Sequence, residues 1–306
     1  MKIFITGASG WIGSAVVQEL LEAGHSVAGL ARSNKSAETL RTAGVEVVGG
    51  NLDDLEILKQ AAASSDGVIH LAFKHDIAFS GDFQGAADAD RKAVEAFAEV
   101  LKGTDKPFVI ASGLLGLSPG KIVTENDGHG NEGLGVAAQG PAARLATAEF
   151  VLSLASQGVR SSIVRLAPTN HGDGDNGFMA TIVQTARDKG VAGYVGDGSN
   201  RWPAVHRLDS AHLFRLAIEK APAGSTLHAA ADEGVPMREI AEVIGKHLDI
   251  PVSSIASEDV AKHFSWMASF IGLDSPASSQ LTRELLGWNP KQVGLIEDLE
   301  QEHYYQ

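Results

Sequence analysis

Three glycines near the N-terminus have the spacing of a turn that can hold a diphosphate. The run Thr6-Gly7-Ala8-Ser9-Gly10-Trp11-Ile12-Gly13 joins an apolar segment to an amphipathic one. Gly7 would permit a tight turn, Gly10 would let the backbone approach the phosphates, and Gly13 would let helix and strand pack closely. The amides and the positive dipole end of the following helix would then bind a dinucleotide. A purely structural Gly-rich turn is the alternative.

The residues after the second predicted strand bear on the choice of cofactor. An acidic residue there commonly bonds the ribose hydroxyls of NAD, but this chain reads Gly29-Leu30-Ala31-Arg32-Ser33. Arg32 offers a guanidinium fork and Ser33 a hydroxyl to a 2′-phosphate. We therefore expect NADP(H), with NAD(H) as the alternative if Arg32 is only a solvated surface residue. After the third strand, Asn51-Leu52-Asp53 supplies a carboxylate that could bond the adenine amine or cap the next helix.

These motifs belong to a pattern of alternating strands and helices. Apolar runs without in/out alternation predict buried parallel strands at residues 2–6, 26–31, 46–49, 67–72, 108–112 and 161–166. Helices are predicted between them at residues 12–23, 55–64, 87–101 and 142–157. The order predicts an α/β fold, a Rossmann-type doubly wound parallel sheet. We expect a dinucleotide-binding domain over residues 1–190, including the strand-six region 161–172, and a smaller, mostly helical substrate lobe over residues 191–306.

Composition excludes several classes of function. The 306 residues carry a net charge of −13 and no basic run, which argues against a nucleic-acid partner. No apolar run approaches a membrane span, and the N-terminus lacks a charged-then-apolar leader, so a cytoplasmic location is the default expectation. Cysteine is absent, which excludes disulfides and thiolate chemistry. Pairs such as His171 and Asp173 do not form a recognised ligand set, so no metal is expected.

The ordered motifs resemble the extended short-chain dehydrogenase/reductase superfamily of the nucleotide-sugar epimerase/dehydratase type. Besides the Gly-rich turn, they are His70-Leu71-Ala72, Ser112, Arg165-Leu166-Ala167-Pro168, the run 196–209 and Leu286-Gly287-Trp288-Asn289-Pro290. The resemblance implies a small-molecule substrate and adds Leu71, Ala72, Phe73 and Pro168 to the expected cofactor contacts. Members often dimerise through the helices after strands four and five, and the sequence leaves a homodimer open.

The superfamily's usual catalytic pair is missing. Members place Tyr, and Lys four residues later, on the helix after strand five, where the Lys lowers the Tyr pKa. This chain has three tyrosines, Tyr194, Tyr304 and Tyr305, and no Lys between Lys121 and Lys189. Gly140 falls where the Tyr would be and Arg144 at or beside the Lys position, with the register uncertain by one residue. The chain thus resembles an atypical subgroup.

Other residues would have to hold and protonate the substrate oxygen. The resemblance implies that Ser112 contacts the cofactor and hydrogen-bonds a substrate carbonyl, with a helix or loop cap as the alternative. Arg144 would stabilise an oxyanion and contact the cofactor, or merely pair with Glu149 or another acid. His171 is the first candidate for proton donor because its turn follows strand six, and His75 and His129 are further candidates. The expected substrate contacts are His75, His129, Asn170, His171, Phe178 and Trp202. The last two belong to an aromatic set that could equally be core, together with Phe73, Tyr194, Phe264 and Trp266.

Three functions remain open at this stage. The leading hypothesis is an NADP(H)-dependent oxidoreductase that acts on a small carbonyl or alcohol. The missing Tyr–Lys pair motivates a second hypothesis, a non-catalytic NADP(H)-binding sensor. The third, an epimerase or dehydratase with a retained cofactor, follows from the resemblance.

Overall fold

The structure is a computed structural model that describes residues 1–129 and 140–306. Its strands are β1 (Lys2–Thr6), β2 (Ser26–Ala31), β3 (Glu46–Gly49), β4 (Gly67–His70), β5 (Pro107–Gly113), β6 (Arg160–Leu166), β7 (Thr169–His171), β8 (Ala192–Val195), β9 (Arg201–His206), β10 (Ser225–Ala229), β11 (Asp232–Pro236) and β12 (Val252–Ile255). Its helices are α1 (Trp11–Glu22), α2 (Asn34–Thr42), α3 (Leu55–Ala63), α4 (His75–Phe79), α5 (Phe83–Leu101), α6 (Pro141–Ser153), α7 (Phe178–Lys189), α8 (Arg207–Lys220), α9 (Met237–Leu248), α10 (Val260–Phe264), α11 (Gln280–Leu286) and α12 (Leu295–Leu299).

Seven parallel strands form the central sheet in the order β10-β6-β5-β4-β1-β2-β3. Crossover helices cover both faces, which explains why the inner strands are apolar without alternation. On one face, Ile5 packs with Val16 of α1 and Phe214 of α8 in one core cluster. On the other face, Phe4 packs with Phe97 of α5 in a second cluster that also includes α3 and α6. The predicted α/β class and doubly wound parallel sheet are confirmed.

A second lobe packs around its own apolar core, which contains Trp202 and Ile240. A three-stranded sheet, β11-β9-β7, and the parallel pair β12-β8 lie in this lobe. With α7, α9, α10 and α12 packed around these short strands, the lobe has more helix than strand, in line with the predicted mostly helical lobe. Its strands are three to six residues long, too short for period-two alternation to appear clearly.

The chain crosses between the two lobes more often than the predicted division at residues 190 and 191 implies. It enters the second lobe at β7 and α7, and then returns because α8 packs on α1 and β10 pairs in parallel with β6. Residues 207–229 therefore complete the central sheet, although they lie beyond the predicted boundary. These residues join the central sheet because β10 pairs with β6, a strand distant in sequence. Local sequence patterns do not predict such long-range pairing.

The helices of the described segments are all too short or too polar to cross a lipid bilayer.

Candidate cofactor and active site

The turn between β1 and α1 is shaped by its glycines. Gly7 has a φ of 73°, and a Cβ there would lie 2.8 Å from the amide nitrogen of Ala72. A Cβ at Gly13 would overlap the carbonyl oxygen of Gly7, so only glycine lets α1 approach the turn this closely. Gly10 is the N-cap of α1 and makes no side-chain cap hydrogen bond, which leaves the first helix amides available to an anion. This cradle fits the diphosphate of a dinucleotide.

A buried chain of hydrogen bonds ties this turn to the neighbouring strand. The hydroxyl oxygen of Thr6 lies 2.7 Å from Nδ1 of His70, and Nε2 of His70 lies 3.1 Å from a carboxylate oxygen of Asp90. The amide of Ala72 donates to the same Thr6 hydroxyl, and the amide of Leu71 donates to the Thr6 carbonyl. Thr6 is fully buried, so its side chain positions the cradle and does not face a ligand. The sequence motif contained His70 but did not reveal this role or the participation of Asp90.

The other expected contacts on this turn differ in exposure. Ser9 is exposed at its tip, and Ile12 is half-buried against the core. Trp11 is half-buried, and its indole N–H donates to the carbonyl oxygen of Asp173 at 3.4 Å. The segment that follows β7 therefore packs directly against the Gly-rich turn.

A polar groove opens beside the ends of β2 and β3. It is lined by Ala31, Arg32, Ser33, Asn34, Ala37, Arg41, Val47 and Gly49. Arg32 and Arg41 both contribute guanidinium groups, which suits a phosphate. The hydroxyl of Ser33 accepts from the amide of Ser36 in a capping box at the start of α2, so this predicted contact already has a structural task. The sequence motif missed Arg41 because it lies nine residues from Arg32, on the far turns of α2.

Asp53 is engaged by a lysine and does not cap a helix. Both carboxylate oxygens of Asp53 lie 2.7 Å from the ammonium of Lys74. The N-cap of α3 is Asp54, whose carboxylate instead accepts from the amide and the side chain of Asn51. Leu52 is buried in the core.

One guanidinium, that of Arg144, lies at the carboxyl ends of β4 and β5. Arg144 of α6 donates to the carbonyl oxygen of Ala111 at 3.2 Å, and its guanidinium carbon lies 4.2 Å from the ring centre of Phe73. The residue after Ala111, Ser112, is buried at this edge of the sheet. Its hydroxyl makes no hydrogen bond to the described residues. The His75 ring lies 5.1 Å from the Phe73 ring. Partial burial, and then the charge of Arg144, lower the pKa of His75.

None of the three tyrosines, all of which lie within the described residues, belongs to the helix after β5. Gly140 is the N-cap of α6 with a φ of 59°, so the expected Tyr position lies at the very start of this helix. Tyr304 donates to Asp175 and Tyr305 to the carbonyl of Leu299, while Tyr194 lies under the guanidinium of Arg238. All three belong to the second lobe and to its own contacts.

His171 is placed inside the protein, away from solvent. Its side chain is fully buried, and Nδ1 lies 2.9 Å from a carboxylate oxygen of Asp298. The ring of His206, the N-cap of α8, lies 5.4 Å away. A proton donor must reach a substrate oxygen. The turn after β6 points His171 toward the C-terminal segment instead, so we do not retain it as donor or substrate contact.

Three further expected substrate contacts also have internal roles. Trp202 is completely buried and donates to the carbonyl of Leu273, and Phe178 packs against its ring at 5.6 Å. The buried amide of Asn170 donates to the Ala167 carbonyl and accepts from the Ser210 hydroxyl. These are core contacts, the alternative that the sequence left open for the aromatic set. Pro168 is half-buried between β6 and β7.

His129 belongs to a polar network under the edge of β6 and β10. Its Nε2 donates to the carbonyl of Glu125, and its Nδ1 lies 2.9 Å from the carboxylate of Glu149. Buried Arg165 donates to the carbonyl of Asp127, and Nε2 of His228 lies 3.4 Å from the same guanidinium. Glu149 thus pairs with His129 and not with Arg144. Groups of three His, Asp or Glu side chains arranged for a metal are absent from the described part of the chain.

The geometry can be compared with known proteins. Residues 3–230 match the NAD dependent epimerase/dehydratase family. The chain is 47% identical over 306 residues to the uncharacterized protein C2A9.02 of Schizosaccharomyces pombe, covering 100% of both chains. It is 30% identical over 259 residues to the 2-alkyl-3-oxoalkanoate reductase of Stenotrophomonas maltophilia, covering 78% of this chain and 73% of the relative.

Among solved structures, the UDP-glucose 4-epimerase of Thermotoga maritima superposes with a TM-score of 0.76 at 20% identity. The superposition covers 100% of this chain and 98% of the epimerase, which supports the same fold. The similar proteins include the Stenotrophomonas maltophilia reductase and the decarboxylating sterol-4-alpha-carboxylate 3-dehydrogenase of Dictyostelium discoideum. The chain therefore belongs to the NAD dependent epimerase/dehydratase family, within the extended short-chain dehydrogenase/reductase superfamily, whose cofactor is a nicotinamide dinucleotide.

Proposed function

We propose that this protein is an NADP(H)-dependent oxidoreductase that interconverts a small carbonyl compound and its alcohol. One observation carries the proposal. The guanidinium of Arg144 is held against the Ala111 carbonyl and the Phe73 ring, beside Ser112 and at the same sheet edge as the diphosphate cradle. In an open α/β sheet, this edge is where ligands bind.

The residues divide the work on the substrate oxygen. The bound cofactor supplies or accepts the hydride. Ser112 donates a hydrogen bond to the carbonyl, and Arg144 stabilises the negative charge that develops on its oxygen, because a guanidinium stays protonated and has donors to spare. His75, whose pKa is lowered by burial and by the charge of Arg144, donates the proton that converts the alkoxide to the alcohol. His75 takes this role because His171 is buried, while His129 is committed to Glu125 and Glu149.

The preference for NADP(H) rests on the groove at the ends of β2 and β3. Arg32 and Arg41 line it, and their guanidinium groups, which pair with the exposed carboxylates of Asp76 and Glu38, offer donors to a 2′-phosphate. The similarity to a reductase of 2-alkyl-3-oxoalkanoates supports carbonyl reduction as the direction of chemistry.

A matched pair of variants tests the proposal. Arg91 of α5 resembles Arg144, since its guanidinium lies 4.0 Å from the ring centre of Phe150 and donates to the carbonyl of Ala146. We expect Arg144→Met to lower kcat/KM for NADPH-dependent reduction of an aldehyde or ketone panel about 100-fold or more. Arg91→Met should change it less than about threefold. Equal losses, or no turnover by the wild type on any carbonyl, would contradict the proposal.

A non-catalytic sensor is the second candidate, because Tyr and Lys are missing from the sequence positions where the superfamily pairs them. This candidate predicts NADPH binding by calorimetry with no oxidation of NADPH by any carbonyl. It also predicts that Arg144→Met leaves the dissociation constant of NADPH unchanged while altering association with a partner. Loose, reversible exchange of NADPH by the wild type in the same titration would count against the third candidate, an epimerase or dehydratase with a retained cofactor.

A further inference from the structure

Two ion pairs cross the edge of the sheet where the adenosine half of a dinucleotide would lie. One joins Arg32, after β2, to Asp76 in the first turn of α4, with Nη1 and Oδ2 at 3.1 Å. The other joins Lys74, just before α4, to Asp53 after β3. In the sheet order β4-β1-β2-β3, the segment after β4 must reach past the end of β1 to make both contacts. That end of β1 carries the Gly-rich turn.

The partner of Arg32 is chemically similar to the ligand that Arg32 is proposed to bind. A carboxylate and a phosphate both present planar pairs of oxygens to a guanidinium fork. The hydrogen bond from Arg32 also lowers the pKa of Asp76, which keeps the carboxylate charged. A 2′-phosphate carries more negative charge than a carboxylate and would compete for the same donors.

The ion pair between Arg32 and Asp76 is weak enough for a ligand to break. The side chains of Arg32 and Asp76 are 69% and 59% exposed, and exposed ion pairs contribute little net free energy. Besides its own amide, the Asp76 carboxylate has two hydrogen-bond partners among the described residues, Arg32 and the adjacent amide of Ile77. Arg41, the second arginine of the groove, pairs only with Glu38 on its own helix and stays beside the site.

We propose that Asp76 is a specificity-determining residue that occupies Arg32 in the free protein and is displaced by the 2′-phosphate of NADP(H). Asp76 thereby weakens the binding of NADP(H) and leaves the binding of NAD(H) unchanged. As a result, the ratio of NADP(H) affinity to NAD(H) affinity is smaller than it would be without Asp76. Displacement also releases α4 from Arg32, so the segment that carries His75 is uncoupled from the adenosine site when the phosphorylated cofactor binds. This inference rests on the proposed role of Arg32.

Calorimetric titration of the full chain with NADPH and with NADH tests the inference. Because an exposed ion pair is weak, we expect Asp76→Asn to lower the dissociation constant of NADPH about three- to fivefold and to leave that of NADH within about 1.5-fold. In an Arg32→Ala background, Asp76→Asn should change neither constant. Asp88→Asn is the matched control, since it removes one negative charge from an exposed position of α5. The Asp88 carboxylate accepts a hydrogen bond from the side chain of Gln84.

Each outcome has a distinct meaning. Equal tightening for both cofactors, tightening by Asp88→Asn of the same size, or no change in Asp76→Asn would overturn the inference. Weaker binding of both cofactors to Asp76→Asn would also overturn it, because Asp76 would then clamp the cofactor. If Arg32→Ala alone leaves the ratio of NADPH to NADH affinity unchanged, the proposed cofactor preference fails. If that ratio falls but Asp76→Asn has no selective effect, only the role of Asp76 fails.

Discussion

Single side chains at the carboxyl edge of the sheet have unequal access to a ligand. Arg144 keeps several N–H donors beyond the one that bonds Ala111, since a guanidinium has five. His75 is exposed enough to meet solvent, whereas His171 is sealed inside with Asp298. The difference follows from packing, because His75 begins α4 beyond the carboxyl end of β4, whereas β7 packs against α12, which carries Asp298. His75 is therefore the histidine whose protonation should affect the reaction rate.

The rate of carbonyl reduction should depend on pH through His75. Its pKa is lowered from the ordinary value of 6.5 by partial burial and by Arg144. A protonated His75 donates the proton, so kcat for reduction should fall as pH rises through a midpoint below about 6.5, and kcat for alcohol oxidation should rise. Steady-state rates between pH 5 and pH 8 measure this. In His75→Gln the midpoint should disappear, and a midpoint that persists there would assign the titration to another group.

At the scale of elements, the segment between β7 and α7 connects the cofactor cradle to the C-terminal end of the chain. The Asp173 carbonyl accepts from the indole of Trp11, and the Asp175 carboxylate accepts from the Gly177 amide and from the hydroxyl of Tyr304. Burial raises the pKa of Asp175, so its hydrogen bonds offset a desolvation cost. Tyr304 thereby holds the loop that packs on the Gly-rich turn.

Removing the Tyr304 hydroxyl should weaken cofactor binding indirectly. We expect Tyr304→Phe to raise the dissociation constant of NADPH about two- to fivefold and to reduce the free energy of unfolding by about 1–3 kcal/mol, since Asp175 loses a buried donor. Tyr305→Phe is the control, because that hydroxyl donates to the Leu299 carbonyl, outside the loop. Calorimetry and thermal unfolding measure both variants. Identical shifts in NADPH affinity for the two would exclude a positioning role for Tyr304.

At the scale of the whole molecule, a buried polar network joins the central sheet to the C-terminal segment. His228 of β10 donates from Nδ1 to the Ser278 carbonyl, and Glu125 accepts from the amide and hydroxyl of Thr282 in α11. Arg165 of β6 lies between them, against Nε2 of His228. The segment that contains α11 is thus joined to the central sheet by groups whose charges must stay balanced.

The network predicts loss of stability in mild acid. Burial lowers the pKa of His228 to about 4, with Glu125, Arg165 and Asp127 as the nearby charges. The unfolded chain therefore binds the proton first as pH falls below about 6.5, and stability is lost progressively from there down to about pH 4. The loss attributable to His228 is on the order of 3 kcal/mol. Urea unfolding at pH 7 and pH 4.5 checks it, and His228→Gln should flatten the dependence of stability on pH between these values.

Local sequence patterns determined the central sheet and the position of the cradle. The first six strands, the Gly7–Gly10–Gly13 turn and the helix after it were all predicted within a few residues, because each depends on apolar periodicity or on the steric demand of glycine. The position of Arg144 on the helix after β5 also followed from its place in the chain. Such features are encoded by neighbours in sequence.

Tertiary structure alone decided which side chains meet. The return of β10 to the sheet, the burial of His171 against Asp298, and the reach of Asp76 to Arg32 each join residues far apart in the chain. His75 and His171 were both candidates for proton donor, yet His75 is exposed and His171 is buried, for the same reason. Burial and pairing are properties of packing between distant segments, and the periodicity of one segment carries no record of what will cover it.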